Sequence, residues 1–541
     1  MCVHDYDVVV IGGGHNGLVA ANYLADAGHR VVVCESNPAV GGMTATSATI
    51  DAAPQHLINS FSVDAFFWDS FPASRDLGLE QYGLRRNEID PGHLYLHPEG
   101  GSIGFWCDPT RTADDIRRFS SADARSYLEF TEMLGTFADI MLRLARTNPV
   151  RPDAAAIGYA ARRAMSNRRQ IGDLIRLPIS SVSEIIAERF RHPVVRDALH
   201  ASSGSTVPND LSGTGVAFLW LATMHRFTCR RPVGGVQAIP DALARRLRVK
   251  QGGVLVDSTV VEIVVKGGRA AGVRLADGTR IEARKAVLAS CDPRTALGTL
   301  LPHSVLPADT ITAVENIPVS NLNCGQAKVD LALNGIVTMK RHQKWRRDDL
   351  DVRRPSHMIG TEAGMRRLFA KSAAGLLPDP EELSLWPVIP TALDPTQAPP
   401  GQDTVYLYCA VVPYAPDGGW DAAKDKLAET VLETAGLYYD GLGDLEVGRQ
   451  VLANDDIAQR THASGGNVAH VDMVLSRSGP LRPARGLGGY STPVEGLYLG
   501  SSGSHPGGGI TGGPGYLSAQ KIIKDLRPGR IARRRRGGNL L

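Results

Sequence analysis

The fold is decided near the start of the chain by residues 6–17, which read YDVVVIGGGHNG. The β-branched run in this stretch ends in three consecutive glycines, a pattern typical of a buried parallel strand that leads into a tight turn. Residues 16–27 then predict a helix that stops at Gly28, and residues 30–34 predict a second strand. Together these elements predict a β-α-β unit that begins at residue 6.

The glycines of this turn match the spacing G-x-G-x-x-G, in which each glycine has a separate task. Gly12 permits the tight turn, Gly14 lets the backbone approach a pyrophosphate, and Gly17 allows the helix to pack closely on the strand. The helix N-terminus supplies free N–H groups and a positive dipole for phosphates. Glu35 ends the second predicted strand, 18 residues after Gly17, where its carboxylate can accept hydrogen bonds from ribose hydroxyls. The pattern predicts a dinucleotide site; a glycine-rich surface turn is the alternative.

A glycine pair, Gly41-Gly42, follows the ribose-binding acid and helps to distinguish FAD from NAD. Such a pair resembles the extended fingerprint of FAD-dependent oxidoreductases, in which the chain crosses back beside the cofactor. NAD dehydrogenases usually lack it. FAD is therefore the expected cofactor.

A second glycine-rich segment, residues 500–515, follows the short strand predicted at residues 497–500. Its Gly507-x-Gly509-x-x-Gly512 spacing repeats the first motif, but the preceding strand ends seven residues earlier, too far away for a Rossmann turn. We expect this segment to form a backbone nest and a helix N-terminus beside the flavin ring and the ribityl chain. The positive dipole there would favour negative charge on the reduced flavin. A flexible loop is the alternative.

The charge distribution argues against a nucleic-acid partner. The formal net charge is +3, but six of the 59 basic residues are arginines within residues 527–541, so the rest of the chain carries 53 basic and 56 acidic residues. A nucleic-acid-binding domain would show an excess of basic residues on a folded face. We expect residues 527–541 to form a basic, disordered tail.

Cysteine spacing and hydropathy restrict the class of protein further. The seven cysteines are widely spaced, with no C-x-x-C, so the sequence predicts neither a metal site nor a disulfide framework. The pattern of a signal peptide is missing, and the longest apolar stretch, Val216–Met224, is far shorter than the roughly 20 residues that span a bilayer. We expect a cytoplasmic protein. The basic segments 151–176 and 340–354 suggest peripheral contact with an anionic membrane, although a solvated face is the alternative.

With both ends of the chain considered, the sequence resembles the phytoene desaturase-like branch of the FAD-dependent oxidoreductases, and more closely its phytoene dehydrogenase-related group. The blocks that carry this resemblance are residues 7–17, 28, 35, 41–42, 231–244, 272–278, 289–293, 465–467, 482–483, 488–490 and 496–509. Two positions depart from the family pattern. Met43 stands where many relatives carry an arginine, and Ser501-Ser502 provides no acid for the ribityl chain.

The resemblance implies an α/β protein with a Rossmann-like FAD-binding domain, discontinuous in sequence, and an inserted mixed α+β substrate domain. The predicted boundaries are 1–75, 231–310 and 481–526 for the FAD-binding domain, and 76–230 and 311–480 for the substrate domain. Local patterns predict mainly helices over residues 76–230. Asp277-Gly278 predicts a hairpin turn between two strands.

The expected FAD contacts combine the motif residues with positions that the resemblance implies. In relatives, the backbone at the position of Val261 would meet the adenine, and the strand end at Ser290 would lie near the pyrophosphate. The expected set is Gly12, Gly14, His15, Asn16, Gly17, Glu35, Ser36, Gly41, Gly42, Met43, Val261, Ser290, Gly500, Ser501, Gly509 and Ile510. Two histidines, His505 in the second glycine-rich segment and His56 after the glycine pair, are candidate catalytic residues; a structural role is the alternative for both.

These features predict an FAD-dependent dehydrogenase or desaturase that transfers a hydride from a lipophilic or small natural-product substrate to flavin N5. Reoxidation is expected by oxygen or a quinone-like acceptor, because the sequence shows no second dinucleotide fold. Aromatic runs at residues 66–68, 105–106 and 216–221 could line an apolar tunnel, or could be ordinary core. Two other functions stay open: a redox-neutral flavin-dependent isomerase and a non-catalytic flavin-binding interaction protein. The sequence does not indicate the oligomeric state.

Overall fold

The computed structural model describes residues 4–203 and 206–527. The strands within these residues are β1 (His4–Ile11), β2 (Val31–Cys34), β3 (Thr46–Ser47), β4 (Ile58–Asn59), β5 (Arg86–Ile89), β6 (His93–Leu96), β7 (Ser102–Phe105), β8 (Cys229–Pro232), β9 (Gly253–Leu255), β10 (Val260–Lys266), β11 (Arg269–Leu275), β12 (Arg280–Ala289), β13 (Cys324–Leu333), β14 (Ser356–Met358), β15 (Leu385–Val388), β16 (Asp403–Pro413), β17 (Glu446–Leu452) and β18 (Leu497–Leu499).

The α-helices within the same residues are α1 (His15–Asp26), α2 (Ala73–Asp76), α3 (Pro109–Arg117), α4 (Ser121–Ala145), α5 (Ala154–Ser166), α6 (Ile171–Arg176), α7 (Val182–Arg189), α8 (Pro193–Ser202), α9 (Phe218–Met224), α10 (Ala238–Val249), α11 (Ala308–Glu315), α12 (Lys340–Trp345), α13 (Glu362–Ala373), α14 (Trp420–Gly436), α15 (Leu442–Leu445), α16 (Asn454–Thr461) and α17 (Gly513–Leu526).

A seven-stranded sheet joins distant parts of the chain. Its order is β10-β11-β12-β1-β2-β9, and β18 pairs with the carboxyl half of β12. The strands β9, β2, β1, β12 and β18 run parallel, whereas β10 and β11 are antiparallel additions. The predicted β-α-β start is confirmed, because β1 pairs in parallel with β2 across α1.

Both faces of this sheet are covered, which explains the continuous apolar run of β1. Val8 and Val10 pack against α1, α10 and α17 on one face, and Val9 and Ile11 pack on the other face against residues 296–317 and 471–499. Since all four side chains are at most 5% exposed, the carboxyl ends of the parallel strands are held rigidly at one edge.

The predicted hairpin at Asp277-Gly278 is confirmed. The strands β11 and β12 pair antiparallel with Arg274 opposite Arg280, and Gly278 has a φ of +86°. This left-handed conformation is easily reached by glycine and costs other residues free energy.

A second, four-stranded sheet with the order β15-β16-β13-β17 is antiparallel throughout. Successive side chains of β13 point to opposite faces. Val329 and Leu331 pack into a core shared with α14, whereas Ala332 packs against Ile50 and Ile58 near the first sheet. The second sheet therefore faces the segment around residues 50–63 that leads from the first glycine motif.

The region 76–230 is largely helical, as expected, but it also contains three short strands, and a fourth at its end that runs to residue 232, that the sequence does not predict. These strands are β5, β6, β7 and β8, and each has only four residues. So short a segment cannot show a helical or alternating period, and β5 pairs with β8 more than 130 residues away, which only the folded chain reveals. The predicted domain boundaries remain a prediction.

Among the described helices, none has the length and apolar character needed to cross a membrane. The arginines at positions 530 and 533–536, predicted to lie in a disordered tail, fall outside the described residues.

Candidate functional site

The turn between β1 and α1 presents backbone N–H groups at the edge of the first sheet. Gly12 has a φ of +97°, and Gly14 precedes α1 without any side-chain cap. The first N–H groups of the helix are thus available to an anion. A Cβ atom on Gly17 would lie 2.2 Å from the Gly12 carbonyl oxygen, so the helix can start this close to the turn only with glycine at position 17.

The Glu35 carboxylate lies buried beside this turn, at 4% exposure. Its Oε2 accepts a hydrogen bond of 2.8 Å from the Gly13 N–H, and its Oε1 accepts bonds of 2.9 Å from both the backbone and the side chain of Asn37. A carboxylate oxygen has two lone pairs, so Oε2 keeps one for a ligand hydroxyl. The position and chemistry of Glu35 suit a ribose.

The glycine pair closes over the first turn. The Gly41 N–H donates to the Gly13 carbonyl oxygen at 2.9 Å, and Gly41 and Gly42 have φ values of +132° and +59°. A Cβ on Gly41 would come within 2.6 Å of the Thr44 carbonyl oxygen. This crossing places Thr44 Oγ1 3.0 Å from Nδ1 of His15, at the start of α1.

The second glycine-rich segment returns to the same place from the other end of the chain. Gly507, Gly509 and Gly512 have φ values of +123°, +88° and +65° before α17 begins. A Cβ on Gly515 would lie 2.1 Å from the Asn16 carbonyl oxygen, so α17 crosses α1 at close range. Asn16 Nδ2 donates to Ser502 Oγ at 3.3 Å, which joins positions 486 residues apart.

These segments surround a cavity of about 510 Å³. That volume lies within the range of small-molecule and cofactor sites, roughly 300–1,000 Å³. The predicted cofactor residues that line it are Gly12, Gly14, His15, Asn16, Glu35, Ser36, Gly41, Gly42, Met43, Val261, Ser290, Gly509 and Ile510.

Three of the predicted cofactor residues, Gly17, Gly500 and Ser501, are not among the lining residues, and they support the cavity from behind. Gly17 packs on the first turn, and a Cβ on Gly500 would lie 2.5 Å from Ser518 Oγ of α17. Ser501 is buried, and its Oγ accepts a hydrogen bond of 3.2 Å from the Gly503 N–H.

The two histidines predicted as catalytic candidates, His505 and His56, do not line the cavity. The His505 Nε2 lies 3.1 Å from the Ala145 carbonyl oxygen, and the His56 Nε2 lies 3.1 Å from the Leu333 carbonyl oxygen. Each ring thus joins two segments of the fold. A catalytic role for either remains a prediction.

Several lining residues were not predicted, above all Thr461, His462, Val468 and His470. They lie in a stretch that the sequence assigns to the substrate domain. The Gly465-Gly466-Asn467 block, which carries part of the family resemblance, is the one signal in the sequence that could have found them. The other unpredicted lining residues are Ile11, Cys34, Asn37, Thr44, Phe61, Ser62, Ser258, Thr259, Val260, Cys291, Thr295, Thr299, Leu300 and Ser502.

Arg482 holds the 469–472 segment against the second glycine-rich segment. This guanidinium is 1% exposed, and its Nη2 donates to the carbonyl oxygens of Ala469 at 2.8 Å and Ser502 at 2.9 Å. Burial lowers the Arg482 pKa to about 10, so the group stays charged at neutral pH. The arginine therefore positions the backbone next to His470.

Two of the histidines in the wall, His15 and His470, have pKa values that favour the neutral ring at physiological pH. Burial lowers the pKa of His15 to about 4, and burial also lowers the pKa of His470. With both rings neutral, the N-terminus of α1, rather than a fixed cationic side chain, would bind a phosphate in this cavity.

Buried polar atoms in the wall indicate a polar ligand. Within the described residues, Asn16 Oδ1, Ser290 Oγ and His470 Nδ1 have no hydrogen-bond partner. Buried polar atoms in folded proteins nearly always have a partner, and these three line the cavity. FAD fits these features. The helix N-terminus would bind its phosphates, Glu35 would bind its ribose, and the glycine-rich walls would contact its flat ring.

A family model described as flavin containing amine oxidoreductase matches residues 17–435, more than three quarters of the chain. The chain belongs to this family. The predicted likeness to flavoproteins of the phytoene desaturase type is confirmed, and the protein is an FAD-dependent oxidoreductase.

Curated relatives match almost the whole chain. Pyridine nucleotide-disulfide oxidoreductase domain-containing protein 2 of Mus musculus is 26% identical over 97% of this chain and 94% of its own length. One of the limonene dehydrogenase polypeptides of Castellaniella defragrans is 25% identical over 97% and 95% of the two chains. The lycopene-forming phytoene desaturase of Pseudescherichia vulneris is 24% identical over 96% and 98%.

Solved structures share the fold. Cyclohexylamine oxidase from Brevibacterium oxydans superposes with a TM-score of 0.57 at 17% identity, over 96% of this chain and 99% of the oxidase. The Rossmann-like α/β architecture predicted from the sequence is therefore confirmed for this family member.

Proposed function

We propose that the protein is a dehydrogenase or desaturase of a lipophilic or small natural-product substrate, with oxygen or a quinone-like molecule as the electron acceptor. Two relatives of similar length are named for the dehydrogenation of limonene and the desaturation of phytoene. Bound FAD would take the hydride that leaves the substrate carbon. The chain itself would bind the substrate and exclude water.

The observation that carries this proposal is an aromatic cluster, Phe66, Phe67, Trp220 and Trp386, beside the second glycine-rich segment. The cavity of about 510 Å³ described above, which we call the FAD cavity, is lined by Gly509. A Cβ on Gly509 would lie 3.4 Å from the Phe67 ring. The centroid of the Trp220 ring lies 4.7 Å from that of Phe67, 5.1 Å from that of Phe66 and 5.3 Å from that of Trp386.

Three of these four rings are only partly buried, namely Phe67, Trp220 and Trp386. They come from three separate segments of the chain and converge next to a cofactor wall. Rings in a plain core would be fully enclosed, whereas rings with accessible faces can bind an apolar molecule. The cluster supports the proposal that the substrate is apolar and approaches the FAD cavity near Gly509.

The decisive experiment is an anaerobic spectral titration of the FAD-bound protein against fractionated apolar metabolites, followed by mass spectrometry of the product. Bleaching of the flavin and a product that has lost two hydrogen atoms support the proposal. A product of unchanged mass that forms only with reduced FAD selects the isomerase. If no fraction changes the flavin spectrum, a non-catalytic flavoprotein is favoured instead.

The acceptor is tested on the reduced protein. Reoxidation by dioxygen or by a soluble quinone is the expected result. Rapid stoichiometric reduction of the resting protein by NADPH alone would contradict the assignment, because it would require a nicotinamide site that the sequence does not show.

We also propose peripheral contact with an anionic membrane through the segment that contains α5 and α6. Ile157, Met165 and Ile175 are 50%, 62% and 64% exposed. The neighbouring Arg168 and Arg169 are exposed as well. Exposed apolar side chains among arginines are the combination that binds at a lipid headgroup boundary.

Vesicle sedimentation tests this contact. We expect binding to phosphatidylserine-containing vesicles, weakened by salt, by Arg168→Glu with Arg169→Glu, and by Met165→Ser with Ile175→Ser. Equal recovery of wild type and both double variants with the vesicles would refute it.

A further inference from the structure

A second cavity, of about 350 Å³, lies between α8, α13 and residues 208–211. It shares no lining residue with the FAD cavity. One face of α13 forms a wall, because Glu362, Met365 and Phe369 recur at helical spacing along it. We call this space the α8–α13 cavity.

A buried histidine faces this cavity with one unused ring nitrogen. His200 is 1% exposed, and its Nδ1 lies 3.2 Å from the amide nitrogen of Asn209. Because an amide N–H donates, Nδ1 accepts, and the proton of the neutral ring is on Nε2. Among the described residues, Nε2 has no hydrogen-bond partner.

A fixed carboxylate stands opposite this N–H. Glu362 is held by Arg196, whose Nε and Nη2 donate to Oε2 at 2.9 Å and to Oε1 at 2.8 Å. The distance from Glu362 Oε2 to His200 Nε2 is 3.7 Å, too long for a hydrogen bond. His200 and Glu362 thus present a donor and an acceptor side by side, both still able to bond.

The charge of these groups selects the class of ligand. A hydroxyl oxygen can accept from the His200 N–H and donate to the Glu362 carboxylate at the same time. The Glu362 charge is already paired with Arg196 and with Arg366, whose Nη2 donates to Oε1 at 3.3 Å. A ligand carboxylate between His200 and Glu362 would still lie against the Glu362 oxygen, and a ligand ammonium there would have no acceptor on His200. Burial lowers the His200 pKa to about 4, so the ring remains a neutral donor at physiological pH.

Half of the lining residues are apolar: Pro208, Leu211, Met365, Phe369, Ala370 and Ala373, beside the polar Ser183, Asn209, Asp210 and Arg366. Met365 and Phe369 are each 5% exposed, and Leu211 is 39% exposed at the opening. We propose that the α8–α13 cavity is a second ligand site, which takes a neutral alcohol with a hydrocarbon body: the hydroxyl lies between His200 and Glu362, and the hydrocarbon packs on α13.

The test uses methyl NMR of the FAD-bound protein labelled at its ten methionines. Met365 reports on the α8–α13 cavity and is assigned with Met365→Leu, whereas Met43 reports on the FAD cavity. The probe is cyclohexanol, and methylcyclohexane is the matched hydrocarbon without the hydroxyl. We expect cyclohexanol to shift the Met365 methyl resonance saturably and to leave that of Met43 in place.

Variants separate hydroxyl recognition from simple filling of the cavity. His200→Phe keeps a ring but removes the donor, and it should weaken cyclohexanol binding at least tenfold; His97→Phe, outside the cavity, should not. Unchanged spectra of the other methionines would show that His200→Phe folds. The proposal is overturned if Met365 does not respond, if methylcyclohexane binds equally well, or if His200→Phe binds cyclohexanol like wild type. Each of these results would mean that the cavity holds water, or that apolar molecules enter it without specific recognition of a hydroxyl.

Discussion

Replacement of Gly17 by alanine should disrupt FAD binding through a single methyl group. The new Cβ would lie 2.2 Å from the Gly12 carbonyl oxygen and 3.1 Å from Ser290 Cβ, whereas real Cβ contacts essentially never fall below 3.0 Å. The backbone must therefore open by almost 1 Å where the phosphate-binding turn meets α1. Overpacking of this kind costs about 1–3 kcal/mol. When this strain is present in the FAD-bound protein and relaxes in the free protein, the FAD dissociation constant should rise about 5- to 150-fold.

The assay is the ratio of flavin to protein after gel filtration, together with fluorescence titration of the apoprotein with FAD. Gly158→Ala is the matched control. Gly158 lies within α5, and its Cβ would meet nothing within 4 Å. Alanine there should stabilise the helix by up to about 1 kcal/mol and leave FAD affinity unchanged. A Gly17→Ala protein that retains stoichiometric FAD with wild-type affinity would refute the reasoning, because the turn would then not be tightly coupled to the cofactor.

Three further predictions concern charge and protonation. Glu35→Gln should weaken FAD binding by about 1–3 kcal/mol, since the amide keeps only one acceptor oxygen, which cannot serve the Gly13 N–H, Asn37 and a ribose hydroxyl together; equal affinities in an FAD titration would contradict this. The Lys328 ammonium and the Asp330 carboxylate form a buried pair at 2.7 Å, so Lys328→Met or Asp330→Asn alone should cost about 3–5 kcal/mol. The double variant should be less destabilised than the sum of the two changes; additive shifts in urea unfolding would show that the groups are not coupled. Burial lowers the pKa of His505 to about 4 from an ordinary 6.5, so on acidification the unfolded chain takes up this proton before the folded protein does. The free energy of unfolding should therefore decrease as the pH falls from about 6.5 to about 4, and less steeply in His505→Gln; identical pH profiles of the urea midpoint would be the contrary result.

The conformation of the first glycine turn could be predicted in detail because its requirements are local. Gly12, Gly14 and Gly17 lie within six residues, and Glu35 follows at the end of the next strand. The task predicted for each glycine concerns its own stretch of backbone, and the cofactor contact predicted for Glu35 involves that residue alone. The same reasoning succeeded for Gly278, because a tight hairpin needs a left-handed residue wherever it occurs.

The surroundings of the histidines could not be predicted in this way. His505 and His56 lie close in sequence to cofactor motifs, yet their rings bond to carbonyl groups elsewhere in the fold. His470 lies in a stretch assigned to another domain, and the structure brings it to the FAD cavity. Proximity along the chain does not determine the direction of a side chain.

Sequence alone therefore indicated the cofactor, the family and the strand-turn-helix at the start of the chain. The turn depends on glycine conformation within one β-α-β unit, and the family resemblance rests on short motifs along the chain, each of which can be recognised without knowing how they meet. The folded structure decided which distant segments complete the cavity, as when Asn16 meets Ser502. It also decided that Lys328 and Asp330 are buried together, and that His200 faces Glu362 across an open space. Such contacts depend on how helices and sheets pack across hundreds of residues, and no local pattern carries that information.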